Sequence, residues 1–271
     1  MVSETLALTW YDAIFDRHST RNYDGRPVPD GLLDALAPLL SGFAPLCEGA
    51  RAVIVADSAS EVFTGLVGPV GKITAPPVAL AFIADTSHPH YQVATGYLGE
   101  GIVLEATSMG LATCWVSGSF RRNEAERRVT LAASEKVMAL TPLGFPASSE
   151  TFGAKAIRTA ASAHKRKPLS SIVSGLPQKD WPPGCGEALE AARLAPSALN
   201  RQPWQFNVGE ERVTISTSGL DPFPIAPVKL DCGIAMLHFE IAAKANGLRG
   251  EWRMSDKAPQ VAEFVFTHSS L

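Results

Sequence analysis

The chain has 271 residues and a mass of 28.8 kDa, which is enough for one large or two small domains with a buried core. With 46% hydrophobic and 19% charged residues, its composition is that of a folded globular protein and excludes a disordered one. The net charge of -3 excludes a general electrostatic attraction to nucleic acid or to an anionic membrane, so any anion must be bound at a local site.

Cysteine spacing and the N-terminal residues indicate a reducing, intracellular setting. Cys47, Cys114, Cys185 and Cys232 form no C-x-x-C pair, so we expect buried or free thiols and no metal site. The first residues are acidic and lack the basic region of a signal peptide. Uncharged apolar runs are well short of the ~20 residues that cross a membrane. We therefore expect a cytoplasmic protein that binds neither a membrane nor nucleic acid.

Hydrophobic periodicity predicts the same order of elements on either side of an Ala- and Ser-rich segment at 146–163. The elements before it are helices at 9–17, 30–40 and 93–109 and strands at 51–56, 77–84 and 136–141. The elements after it are helices at 186–194 and 232–246 and strands at 205–208, 212–216 and 263–267. We predict two halves, 1–150 and 164–271, joined by a linker at 151–163 and packed as one globule.

The two long helices indicate an internal repeat. An offset of 137 residues superposes five identical pairs: Gly96 and Gly233, Ala106 and Ala243, Gly110 and Gly247, Leu111 and Leu248, Trp115 and Trp252. Apolar residues surround both helices, which predicts that both are central. Two of the glycines could match simply because each ends a helix as a left-handed cap. If the halves are related by a pseudo-twofold axis, these helices pack together as at a dimer interface.

Two basic segments are candidates for binding a phosphate. Within RHSTRNY at 17–23, the first five residues combine three basic side chains and two hydroxyls near the end of the first helix. Guanidinium groups match phosphate oxygens with two parallel hydrogen bonds. HKRKPL at 164–169 is the second basic segment. Either could instead be a solvated surface, and arginine also interacts favourably with a helix C-terminus.

Two other segments could contact a flat ring. In APSALNRQPWQF at 195–206, Ser197, Asn200 and Gln202 offer short polar groups that can recognise the edge of a heterocycle. This segment could equally be a loop whose Trp204 fills the core. In CWVSGSF at 114–120, Gly118 permits either the close approach of a ligand or a simple turn.

Together these segments resemble the nitroreductase superfamily, whose members use such segments to hold FMN. The resembling strings are RHSTRNY, APSALNRQPWQF, GLATCWVSGSF and RKPL, and they touch most of the chain. The pattern APSAxNxQPW is the most recognisable of them. The resemblance implies an α+β fold of the nitroreductase type. Here it implies two tandem half-repeats, each with a mainly antiparallel sheet and helices, with the central helices packed as in a dimer.

The order of the segments departs from the usual family pattern. The APSA-type segment ordinarily follows the RxSxR segment closely, whereas here the two begin at residues 195 and 17. In family dimers each flavin contacts the RxSxR segment of one subunit and the APSA segment of the other. The resemblance therefore implies a monomer that mimics a dimer. The first half has LAPLLSGFAPLC in place of an APSA loop and the second half lacks RxSxR, so one flavin site is expected.

Matching the motifs assigns residues of this chain to two parts of the flavin. The phosphate and ribityl group comprises Arg17, His18, Ser19, Arg21 and Arg166. The ring group comprises Pro196, Ser197, Asn200 and Gln202, with Val116, Ser117 and Gly118 near the reactive N5 and Lys72 beside the pyrimidine. His164 stands where the family more often has lysine, and Lys72 is the weaker match.

The resemblance implies an FMN-dependent oxidoreductase that passes electrons from NAD(P)H through flavin N5 to a small electron-poor acceptor. Such a transfer needs no acid, base or nucleophile from the protein, so no catalytic side chain is assigned and the cofactor carries the chemistry. Two alternatives stay open. One is a flavin enzyme that oxidises or dehalogenates a bound metabolite, and the other is a flavin-binding or sequestering protein without turnover.

Overall fold

A computed structural model of the chain describes residues 2–40, 43, 46, 48–55, 59–63, 72–147, 165–218 and 227–267. The helices are α1 (Glu4–Asp16), α2 (Asp30–Leu40), α3 (Tyr91–Ser108), α4 (Arg122–Glu126), α5 (Leu169–Ile172), α6 (Cys185–Leu194) and α7 (Val228–Ala245). The strands are β1 (Ala50–Val55), β2 (Val78–Asp85), β3 (Ala112–Thr113), β4 (Glu135–Gly144), β5 (Val173–Gly175), β6 (Trp204–Val208), β7 (Arg212–Thr217), β8 (Gly250–Met254) and β9 (Gln260–Phe266). Short 3-10 helices lie at Ala59–Phe63, Gln178–Asp180 and Ala198–Asn200.

The strands form two sheets, one in each part of the chain. The first has the order β1-β2-β4-β3 and is antiparallel throughout. The second has the order β5-β6-β7-β9-β8 and is antiparallel except for the pair of β5 and β6. The predicted α+β class with mainly antiparallel sheets is confirmed. The predicted linker at 151–163 lies outside the described residues.

Helices α3 and α7 pack against each other between the sheets, α3 contacting β1 and β2, and α7 contacting β6 and β7. The two helices approach through glycines, because a Cβ at Gly96 would lie 2.0 Å from the carbonyl oxygen of Leu230. A Cβ at Gly233 would lie 2.2 Å from the carbonyl oxygen of Val93. Both helices are buried on nearly all sides, as their apolar composition predicted.

The differences from the sequence prediction have local causes. Helix α1 begins five residues earlier than predicted, at Glu4, because the side chain of Ser3 caps it by accepting from the N–H of Leu6. Helix α2 has the predicted bounds. Strand β8 was not predicted, since its Glu251 and Arg253 break the apolar run while its pairing with β9 sets the strand. The short α4, α5, β3 and β5 were also not predicted.

The cysteines within the described residues agree with the sequence expectation. Cys114, Cys185 and Cys232 are buried free thiols, as predicted, and Cys47 lies outside the described residues. Within the described ranges, every helix is too short or too polar to cross a membrane.

Candidate functional site

Arg17 lies at the end of α1 and its side chain is buried. The helix ends there because the Arg17 backbone turns to extended values, φ -61° and ψ 122°, while its N–H still donates to the carbonyl of Ala13. The side chain is 6% exposed, and its Nε lies 3.8 Å from Oε1 of Glu100. Its Nη1 is buried and has no hydrogen-bond partner among the described residues. A buried guanidinium N–H without an acceptor is costly, so this atom indicates an anion-binding position.

Glu100 of α3 is fully buried and joins three parts of the chain. The indole N–H of Trp115 donates to its Oε2 at 2.6 Å, and Nε2 of His238 lies 2.8 Å from its Oε1. The other ring nitrogen of His238, Nδ1, lies 3.1 Å from the carbonyl oxygen of Ala191 in α6. Glu100 therefore connects Arg17 with the segment after β3 and, through His238 of α7, with α6.

Arg166 comes from the second part of the chain and lies in the electrostatic field of Arg17. Its Nη1 donates to Oδ1 of Asn200 at 3.0 Å, and its Nε and Nη2 donate to the carbonyl of Leu194 at 3.3 and 3.1 Å. The pKa of Arg166 is lowered to about 10, first by burial and then by the positive charges of Arg17 and Arg193. A bound anion would offset the repulsion of Arg166 by Arg17 and Arg193.

The loop at 195–203 has an uncommon backbone conformation. Leu199, Asn200 and Gln202 have φ values of 53°, 54° and 48°, the left-handed region that residues other than glycine rarely adopt. Oγ of Ser197 stabilises the loop by accepting from the N–H of Gln202 at 2.9 Å. Residues held in such conformations cluster at binding and active sites. The loop is therefore a candidate ligand-binding element on conformational grounds alone.

Hydrogen bonds join this loop to the basic segment at 165–167. Nδ2 of Asn200 donates to the carbonyl of Lys165 at 2.8 Å. The N–H of Lys167 donates to Oε1 of Gln202 at 2.7 Å, and Nζ of Lys167 donates to the carbonyl of Gln202 at 3.0 Å. The structure thus brings together the basic segment and the APSA-type loop, which the sequence assigned to the phosphate and to the ring respectively.

Ser19 and Arg21 lie along the edge of the first sheet. Ser19 forms an isolated parallel bridge with Thr113 of β3, and Nη1 of Arg21 donates to the carbonyl of Ser19 at 3.5 Å. The carbonyl of Arg21 accepts from the N–H of Thr74 at 2.9 Å. Lys72 is exposed and precedes Thr74 by two residues, so its segment runs beside that of Arg21.

Val116, Ser117 and Gly118 also belong to the first sheet. Val116 is buried and pairs with Leu140 of β4, whereas Ser117 is half-buried and Gly118 is exposed. The described contacts connect this segment to Arg17 through the indole of Trp115 and the carboxylate of Glu100. They do not connect it directly to the loop at 195–203.

His18 and Pro196 flank the arginines. His18 is exposed, with Nδ1 3.0 Å from the carbonyl of Asp16, and Pro196 is buried just before the strained part of its loop. Of the residues that the sequence singled out, the structure brings Arg17, Arg166 and Asn200 into one cluster. Ser197 and Gln202 support that cluster, and Pro196 precedes them in the same loop. Ser19, Arg21, Lys72 and residues 116–118 lie instead beside the first sheet.

A family model described as "Putative TM nitroreductase" matches residues 9–243 of the chain. This range spans both parts of the chain and contains the segments at 17–23 and 195–206. The chain belongs to this nitroreductase family. Membership makes it an oxidoreductase of the nitroreductase type.

One solved structure agrees with the fold over nearly its whole length. The chain is similar to a "putative nitroreductase" from Thermotoga maritima, with 23% identity and a TM-score of 0.62 over 94% of this chain and 93% of that one. A nitroreductase family protein from Clostridium difficile 630 has 18% identity and a TM-score of 0.44 over 60% and 95% of the two chains. An FMN-dependent nitroreductase from Clostridium difficile R20291 has 17% identity and a TM-score of 0.43 over 51% of this chain and 88% of that one. No curated protein matches this chain.

Three residues at the candidate site of this nitroreductase were not predicted from the sequence: Glu100, His238 and Arg193. Glu100 and His238 are single polar residues in helices without a polar face, and a charged residue there must have a buried partner. A charged residue in a helix without a polar face was therefore the signal that the sequence offered for a buried site. Arg193 forms an ion pair with Glu190 on α6, which sequence spacing alone describes as an ordinary surface pair.

Proposed function

We propose that this nitroreductase binds one FMN, with the phosphate at Arg17 and Arg166, and transfers electrons from NAD(P)H to a small electron-poor acceptor. The buried Nη1 of Arg17, which lacks a partner among the described residues, is the observation that carries the proposal. A phosphate would accept from this atom, and its charge would favour the protonated form of Arg166, whose pKa is lowered first by burial and then by Arg17 and Arg193. The residues present therefore fit the phosphate end of the cofactor.

The loop at 195–203 supports the position of the ring. Asn200 bonds both Arg166 and the segment beside it, so the proposed ring contacts lie directly next to the proposed phosphate contacts. In this proposal Pro196, Ser197, Asn200 and Gln202 line one side of the isoalloxazine. Val116, Ser117 and Gly118 approach it from the first sheet, while His18, Ser19 and Arg21 hold the ribityl and phosphate end.

FMN supplies the redox chemistry when it is bound, and the chain binds, orients and polarises it. Lys72 is the residue that we propose for stabilising negative charge on the pyrimidine. Its segment runs beside Arg21, through the bond from the N–H of Thr74 to the carbonyl of Arg21. A cation about 4 Å from a unit negative charge contributes roughly 4 kcal/mol at an effective dielectric constant near 20. An exposed lysine contributes less because water screens it.

We infer further that the two parts of the chain correspond to the two subunits of a family dimer and that the protein is a monomer. The paired contacts of Gly96 with Leu230 and of Gly233 with Val93 support this, because an offset of 137 residues exchanges one contact for the other. A mass of 28.8 kDa by light scattering is the expected result. A stable dimer in solution contradicts the inference.

The visible spectrum of the purified protein tests the flavin site. We expect a yellow protein, or a colourless one that becomes yellow on addition of FMN, and anaerobic bleaching by NADH or NADPH. Failure to bind added FMN rejects the proposal. Bleaching only by an organic substrate favours an enzyme that oxidises or dehalogenates a metabolite, and tight FMN binding without bleaching by any donor favours a sequestering protein.

Variants of the proposed ligands locate the cofactor. Arg17→Gln and Arg166→Gln should each weaken FMN binding about tenfold or more, because each removes a charge-assisted hydrogen bond. Arg212→Gln is the matched control, since Arg212 pairs with Glu263 on the surface of the second sheet. Equal FMN affinity in all three variants would place the cofactor elsewhere. Arg21→Ala and Asn200→Ala should also lose colour.

A further inference from the structure

Glu100 and His238 form a fully buried polar pair where the two central helices meet. Both side chains are 0% exposed, and Oε1 of Glu100 lies 2.8 Å from Nε2 of His238. Burying such groups costs several kcal/mol unless their partners offset it, so a pair of this kind is seldom explained by a gain in the stability of the fold. Its neighbours indicate what it does instead. Arg17 lies on one side of the pair and α6 on the other.

The proton arrangement of the pair follows from the carbonyl of Ala191. A carbonyl oxygen only accepts, so Nδ1 of His238 carries a proton directed at it. The bond between Nε2 and the carboxylate of Glu100 then holds one further proton, whichever atom carries it. In either arrangement the pair has no net charge. Glu100 therefore holds Arg17 without cancelling its positive charge.

We propose that Glu100 and His238 are positioning residues for the anion-binding arginines, an inference that rests on the proposed binding of FMN. Glu100 fixes Arg17 near its Nε and leaves Nη1 for the phosphate. His238 ties Glu100 to α6, and α6 ends at Leu194, whose carbonyl accepts from Arg166. The pair thereby sets the separation of two arginines that come from opposite parts of the chain.

The pair has no counterpart at the positions that the 137-residue offset relates to it. By the 137-residue offset, Glu100 corresponds to Leu237, and His238 corresponds to Gly101. Leu237 is fully buried and apolar, and a Cβ at Gly101 would lie 2.1 Å from Cζ of Phe43. A pair required merely for packing the helices has no reason to be one-sided. Its presence beside the arginines, with apolar residues at the related positions, points to a role in the site.

The preference for FMN over riboflavin tests the proposal, because these flavins differ only in the phosphate. Apoprotein is titrated with each flavin and the two dissociation constants are compared. We expect Glu100→Gln to lower the wild-type preference for FMN about tenfold, because a displaced Arg17 loses its charge-assisted hydrogen bond to the phosphate. The affinity for riboflavin should change little. Because the pair is net neutral, the substitution leaves the cluster's charge unchanged, and the loss reports the placement of Arg17.

Glu240→Gln is the matched control. Glu240 is also a buried acid of the central helices, but it accepts from Oη of Tyr97 at 2.7 Å and pairs with Lys244 at 3.2 Å. It should lose stability without a change in the flavin preference. An unchanged or increased preference in Glu100→Gln overturns the proposal. Wild-type protein that does not bind FMN overturns the proposed function itself, so the two failures are distinguishable.

Two substitutions of His238 keep the test decisive if Glu100→Gln does not fold. His238→Gln places a donor near the position of Nε2 and should keep most of the preference for FMN. His238→Asn places one near Nδ1, so it keeps the bond to Ala191 but loses the contact with Glu100, and the preference should fall. Equal preferences in the two variants contradict the proposed role.

Discussion

Gly96 and Gly233 make the same contact in opposite directions across the two central helices. Each faces a carbonyl oxygen of the other helix, that of Leu230 or of Val93, at a distance that leaves no room for a Cβ. The helices can approach this closely only because both positions are glycine. The contact holds the two sheets, and with them Arg17 and Arg166, in one arrangement.

Gly96→Ala should destabilise the fold by about 3 kcal/mol or more, because the added Cβ meets backbone that cannot move as a flexible side chain could. Urea unfolding followed by circular dichroism measures this. Gly31→Ala in α2 is the control, since nothing lies within 4 Å of the added carbon, and it should be neutral or stabilising by about 0.5 kcal/mol. Equal effects of the two substitutions would contradict the close helix contact.

The strain in the loop at 195–203 predicts an unusual gain of stability. Leu199 is exposed and has a φ of 53°, so Leu199→Gly should stabilise the protein by about 1 kcal/mol by removing the Cβ penalty. Leu8→Gly, at an exposed position within α1, should instead cost about 1 kcal/mol. Opposite signs in chemical denaturation confirm the strain, and a loss of stability in both variants refutes it.

The positive charges of Arg17 and Arg193 act on the buried Arg166, which predicts that anions stabilise the apoprotein. Inorganic phosphate at about ten times its dissociation constant should add about 1.4 kcal/mol, which for a chain of this size raises Tm by roughly 2–5 °C. Chloride at the same ionic strength is the control for screening. The response to phosphate should disappear in Arg166→Gln. An equal response in that variant places the anion elsewhere.

Lys72 should influence electron transfer more than binding. Lys72→Gln is expected to slow the reduction of bound FMN by NAD(P)H about fivefold, corresponding to roughly 1 kcal/mol for a solvent-screened charge. Its FMN affinity should change little. Lys179→Gln, at an exposed position between β5 and α6, is the control. Stopped-flow absorbance measures the rate of flavin reduction in both variants. Equal rates in Lys72→Gln and Lys179→Gln would show that Lys72 is not part of the site.

The buried thiols predict a loss of stability in alkali. Burial raises the pKa of Cys185 from an ordinary value of 9.0 to about 12, and raises that of Cys232 as well. Above pH 9 the unfolded chain releases these protons while the folded chain retains them, so the free energy of unfolding falls as pH rises toward 12. Cys185→Ala should show a shallower fall. A slope equal to that of the wild type would show that Cys185 does not contribute.

Most of the fold could be predicted from the sequence, because long elements carry strong apolar periodicity and α2 even has its predicted bounds. Residues of the candidate site could be proposed from the sequence where they form a recognisable string, as around Asn200. Glu100 and His238 are separated by 138 positions, and only the packing of α3 on α7 brings them together. The left-handed φ of Leu199 opposes the intrinsic preference of leucine and is imposed by its surroundings.

The union of both central helices in a single polypeptide has a consequence for how the protein responds to dilution. An anion site divided between separate subunits weakens as the subunits dissociate, since its two arginines then diffuse apart. Arg17 and Arg166 are covalently connected, so their effective concentration is set by the chain and not by the amount of protein present. The affinity for the ligand should therefore be the same at nanomolar protein as at higher protein concentrations.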